Sequence, residues 1–254
     1  METKEIFDEI ALFVSSIKRI AIVTVAFFLV FFLTDPFTMK LGLTTSFSVT
    51  VFRYIAHITS LKIITISPFE AILTDMKVAG MLALIFSMPY ISYELIRFAF
   101  PGLTAKEKKF VKLVLLPATV LFIAGMAFAW FIIVPALFYF TAILDNAMGI
   151  IPTVSAASYT TTILSIMISL GLSFEIPIII GGLTFLNIIH YEQLVHNWRY
   201  GIAGSWILAL FISPGATGGM METVIGSILS GLFVVGLLIS RTVETRRAVN
   251  AAAI

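Results

Sequence analysis

Three acids stand where this chain is otherwise either oily or basic. Glu107 sits in RFAFPGLTAKEKK, where Arg97, Lys106, Lys108 and Lys109 surround one carboxylate just past a Pro-Gly turn. Glu94 lies one short loop earlier. Glu175 lies in GLSFEIPIII, deep in an apolar run, with Pro177 two residues on. A carboxylate meets a guanidinium through two parallel charge-assisted hydrogen bonds. Glu94 and Glu107, if they face one site, could therefore take up guanidinium groups. Glu107 also has a plainer reading. In the first turn of a helix it favours the helix dipole, and a surface pair with Lys108 or Lys109 is worth about 0–1 kcal/mol.

The elements that hold these acids follow from composition. Of 254 residues, 59% are hydrophobic and 12% charged, whereas a soluble domain carries about 25% charge. Such a chain cannot cover a water-facing surface, so lipid is the solvent for most of it. There is no cysteine, which excludes disulfides, thiolate metal sites and a cysteine nucleophile. The net charge of +2 gives no signal for nucleic acid. The charged N-terminus METKEIFDEIALF has no small-residue cleavage site, so the first apolar run is expected to stay as a span.

Charges punctuate the apolar runs, which are too long for barrel strands and must satisfy their own backbone as helices. The predicted fold is one all-α membrane domain, 1–254, with six spans. They run roughly Lys18–Thr34, Ile72–Phe98, Phe110–Phe140, Ser158–Leu186, Arg199–Ser213 and Met221–Ser240. The fifth is short, about 21 Å against a hydrocarbon core of about 30 Å. Pro89, Pro117, Pro135 and Pro177 fall inside spans and predict kinked helices in a concave bundle. Twelve of the 16 lysines and arginines fall on one side, and Lys40, Arg53, Lys62 and Lys77 on the other. That bias puts both termini in the cytoplasm. The long Asp35–Phe69 connection is then external and is expected to pack as a cap. Asp75 and Lys77, close to Glu70, are expected to form an ion pair holding it. The glycines Gly181–Gly182 and Gly226–Gly231 are expected to allow close helix packing.

An ionisable residue at membrane depth marks a functional site by default. Glu175 therefore reads either as a group for binding or translocation, or as an acid near the interface, protonated or paired with a neighbouring helix. Pro177 weakens the helix beside it. Enzyme constellations are missing from the sequence. His57, His190 and His196 fall in predicted loops, and no HExxH, GxSxG or GxxxxGK[ST] pattern occurs. No metal or cofactor is expected.

Five segments in order resemble one family, the TatC component of the twin-arginine protein translocase. YELIRFAFPGLTAKEKK, Tyr93–Lys109, is similar in spacing to the family's loop between its second and third helices. SPFE, Ser67–Glu70, resembles the segment before the second helix, and GMAFAWFIIVPALFYF, Gly125–Phe140, the third helix. FEIP, Phe174–Pro177, resembles the fourth-helix signature. WRYGIAGSWILALFISP, Trp198–Pro214, resembles the fifth helix, also short in the family. The family's N-terminal segment reads H-L-x-E-L-R-x-R. In Leu12–Arg19 only Lys18 and Arg19 fit, and Ser15 stands where an acid is expected. Ile96 replaces a Trp, Gly215 an Asp, and the sixth span lacks a Pro and a Tyr-Glu pair.

The resemblance implies a receptor that binds twin-arginine signal peptides of folded cargo. It would nucleate assembly of single-span TatA/TatB-type subunits, as a homo-oligomer in the assembled complex, using the proton-motive force. Membrane lipid would be its surroundings, and the cytoplasmic (inner) membrane of a prokaryote its location. By position, Glu107 would be the main carboxylate for the arginine pair, with Glu94, Lys18 and Arg19 in the same site. Glu175 and Pro177 would meet a partner helix or cargo inside the membrane, and Pro68 and Glu70 would belong to the external cap. Two rivals stand beside this reading: a proton-coupled secondary transporter with Glu175 as proton site, and a membrane scaffold with no transport role.

Overall fold

The computed structural model describes residues 2–35, 40–42, 45–57, 61–99, 105–213 and 219–252. Backbone contacts gather the chain into two compact units, 1–119 with 153–164, and 120–152 with 165–254.

The first unit is built on α1 (Glu2–Leu33) packed against α3 (Glu70–Ala99). No Gly or Pro interrupts α1, and it stops just before Asp35-Pro36, where the residue preceding proline is pushed out of helical backbone. Two short strands follow, β1 (Thr34–Asp35) and β2 (Lys40–Leu41), paired antiparallel. Helix α2 (Phe47–Ala56) is N-capped by the Ser46 hydroxyl and closes an aromatic core. Phe31, Val78, Ala79 and Leu82 are buried there, with Phe27, Phe28, Phe47 and Phe52 packed on them. The Phe31 and Phe86 rings lie 4.9 Å apart. Strand β3 (Lys62–Ile64) pairs in parallel with β4 (Thr153–Ser155), so the connection before α3 is tied to the start of α6 (Ala156–Ser173). The connection expected to pack as a cap thus holds a helix and strands.

Helix α4 (Ala105–Phe128) runs into a π turn at Ala129–Ile133 and then α5 (Val134–Ala147). Pro135 explains the change of register. It has no N–H to give, its ring crowds the turn before it, and the preceding residue bonds one carbonyl further back, Val134 N–H to Ala129.

In the second unit α10 (Met220–Ala252) packs on α7 (Ile176–Phe185) and α9 (Trp198–Ile212), and α8 (Tyr191–His196) bridges to it. Close approach rests on glycine. A methyl at Gly201 would meet the Phe233 ring at 2.2–2.6 Å, and one at Gly125 the Leu170 carbonyl at 2.8 Å. Gly181 and Gly226 also lie against side chains, Ile239 and Trp206, but Gly182 and Gly231 have open space and do not take the packing role expected of them. His196, expected in a loop, lies in α8.

Among the described residues five helical segments are long and apolar enough to cross a membrane: Phe13–Leu33, Glu70–Glu94, Val114–Ala147, Ala156–Phe185 and Met220–Arg246. Trp198–Ile212 is apolar but has only 15 residues, which matches the short fifth span.

Candidate functional site

At the far end of α3 from the β3–β4 pair, α1 and α3 are joined by a guanidinium clamp. Arg19 Nε donates to Glu94 Oε1 at 2.9 Å, and Nη2 donates to Oε2 at 3.0 Å. The same Nη2 also donates to the Ser16 hydroxyl at 3.1 Å, and the Tyr90 hydroxyl donates to Glu94 Oε1 at 3.1 Å. Glu94 is buried, its side chain 1% exposed, while that of Arg19 is 36% exposed. The helical period makes this cluster: Ser16 is one turn before Arg19, and Tyr90 one turn before Glu94. Further along the two helices, Thr24 donates to Ser87 at 3.2 Å. A buried carboxylate is tolerable when a fork fills both its oxygens.

The predicted residues separate here. Arg19 and Glu94 meet each other, so Glu94 already holds a guanidinium of its own chain. Lys18, one position away, points to the exposed side. Glu107 falls in the first turn of α4, and its side chain lies outside the described residues, as do the side chain of Ile96 and all of Gly215. Sequence reasoning missed Ser16 and Tyr90. Their spacing puts each on the same helix face as Arg19 or Glu94 but does not say that the two faces meet.

At the opposite end of α3, Glu70 is 5% exposed and organises the cap. Its Oε2 accepts from the backbone N–H groups of Ile66 at 2.6 Å and Ser67 at 3.2 Å, and its Oε1 from Ala157 N–H at 2.8 Å. One carboxylate thus closes the SPFE turn and caps the positive end of α6. Pro68 lies exposed in that turn. The Tyr159 hydroxyl donates to the Ile55 carbonyl at 2.9 Å and adds a second tie from α6 to α2. The expected Asp75–Lys77 ion pair does not form among the described residues. Positions two apart on a helix face different ways. Lys77 donates to Thr161 at 2.7 Å, while Asp75 is buried with Oδ1 unpartnered. Replacing Glu70 with Ala leaves three N–H groups without their acceptor. It is expected to lower the melting temperature in detergent by about 5 °C, and an unchanged thermal transition would show the cap to be held otherwise.

In the second unit Glu175 sits in the break between α6 and α7, where Phe174 and Glu175 form a turn. Pro177 is in the first turn of α7, where its missing N–H costs nothing. The Phe174 ring packs on Phe128 at 5.6 Å. Glu175 Oε1 is buried and has no hydrogen-bond partner. An unsatisfied carboxylate oxygen in an apolar segment is costly.

Long apolar helices, a shorter apolar one and polar clusters at their ends and breaks define a multi-span helical membrane protein. The chain belongs to the TatC family: the family model for Sec-independent protein translocase protein (TatC) matches residues 11–240. It is 32% identical over 179 residues to the Sec-independent protein translocase protein TatC of Synechocystis sp., covering 70% of this chain and 69% of that one. It is 33% identical over 176 residues to the chloroplastic TATC of Pisum sativum, covering 69% of this chain but 49% of the pea protein. The fold is similar to the crystal structure of the twin-arginine translocase receptor TatC, with a TM-score of 0.72 at 24% identity, covering 91% of this chain and 99% of that one.

Proposed function

We propose that this chain is the signal-peptide receptor of a twin-arginine translocase, set in a prokaryotic cytoplasmic membrane with both termini in the cytoplasm. The observation that carries the reading is the guanidinium clamp at the end of α3. There a buried carboxylate is matched on both oxygens by an arginine fork. Arg19 neutralises Glu94 and fixes the α1–α3 frame. Glu107, in the first turn of the next helix, then receives an incoming arginine. The lysines around it fix the loop on the cytoplasmic side. Glu175, with an unpartnered oxygen inside the membrane, meets the helix of a single-span subunit or the cargo's signal helix once the peptide is bound. The proton-motive force drives the step that follows.

Export tests this reading. A folded reporter with an Arg-Arg signal peptide is expected to be exported by cells carrying this chain as their sole family member. The same reporter with Lys-Lys is expected to stay inside, because an ammonium cannot make the bidentate match. Equal export of both would overturn it. The unpartnered oxygen of Glu175 also favours a second reading, a proton-coupled transporter. Solute-stimulated proton flux in liposomes holding this chain alone would support that reading instead.

A further inference from the structure

We propose that the C-terminal end of α10 carries a binding site for an anionic phospholipid. Val235, Leu238, Ile239, Thr242, Val243 and Arg246 line a groove of about 280 Å³ there. Their three- and four-residue spacing is that of one helix face. Leu238 is 57% exposed and Val235 45%, and both lie inside the membrane-length segment Met220–Arg246. The apolar part of the groove is therefore open to acyl chains. Arg246 is the last residue of that segment, and a long cationic side chain near a span end reaches toward the headgroups.

Charge selects among lipids. The acid nearest on the helix, Glu244, is turned to another face. It accepts from the Tyr191 backbone N–H at 2.8 Å and lies 3.4 Å from His190 Nδ1. The Thr242 hydroxyl is spent on the Leu238 carbonyl at 2.8 Å. Among the described residues Arg246 forms no ion pair. An exposed guanidinium at the mouth of an apolar groove fits a phosphodiester. Its fork donates two N–H bonds to the phosphate oxygens, and one acyl chain lies along Leu238 and Val235. A zwitterionic lipid presents the same phosphate beside its own cation, which offsets the attraction, so an anionic lipid is preferred.

The test uses the full chain in detergent, titrated with dioleoyl phosphatidylglycerol or dioleoyl phosphatidylcholine and followed by native mass spectrometry. Wild type is expected to hold phosphatidylglycerol more tightly than phosphatidylcholine. Arg246→Gln is expected to lose about fivefold in phosphatidylglycerol affinity, the factor one interfacial arginine supplies, with phosphatidylcholine unchanged. Arg246→Lys keeps the charge and is expected to retain most of the preference. Arg241→Gln, exposed but off the groove face, is expected to behave as wild type. The proposal is overturned if wild type holds both lipids equally, if Arg246→Gln keeps the wild-type preference, or if Arg241→Gln loses as much as Arg246→Gln.

Discussion

Replacing Glu107 with Ala is expected to stop export of twin-arginine cargo while the protein still inserts at normal levels. A hydrogen bond to a charged group is worth about 1.5–3 kcal/mol, so losing the bidentate partner weakens signal-peptide binding about tenfold to hundredfold. The effect is large because Glu94, the other carboxylate expected in this site, offers no substitute. Glu94 is filled on both oxygens by Arg19 and bonded again by Tyr90. Peptide affinity measured on purified wild type and variant checks this, with export followed in parallel. Unchanged affinity would remove Glu107 from the site.

The second large effect is expected at Glu175. Its Oε1 is buried with no partner, and an unsatisfied buried acceptor costs about 1–3 kcal/mol. Glu175→Ala should therefore leave the isolated chain at least as stable as wild type and leave peptide binding intact. Co-purification with the single-span subunit should fall to background. This combination separates a binding role from a structural one, because a residue that supports the fold lowers the melting temperature when removed. A destabilised variant that still assembles and transports would refute the role.

These two acids stand out in the sequence for a simple reason. In a chain with 12% charged residues, an acid inside an apolar run or alone among lysines is conspicuous. The helices were legible for the same reason, and so was the short Trp198–Ile212, bounded by His196-Asn197 and the SPGATGG stretch. Three things were not. The Ser16–Arg19–Glu94–Tyr90 cluster joins residues 75 positions apart, and nothing local says which hydroxyls face one another across two helices. The connection to α3 was expected only to pack as a cap, and Val49, Thr50 and Val51, poor helix formers in isolation, give no signal for a helix. The Ser46 cap and burial of Ile55 under the Tyr159 hydroxyl decide for a helix. Glu70 looked like one member of an external cap. Its binding of three backbone N–H groups, one of them on α6, depends on β3 and β4 lying side by side, a pairing of segments far apart in sequence.

The proposed receptor role rests on recognition of paired arginines. Photo-crosslinking of a labelled signal peptide to this chain in native membranes tests it most directly, with an Arg-Arg peptide compared with its Lys-Lys twin. The Arg-Arg peptide is expected to crosslink and the Lys-Lys peptide is not. Crosslinking of both peptides alike, or of neither, would contradict it.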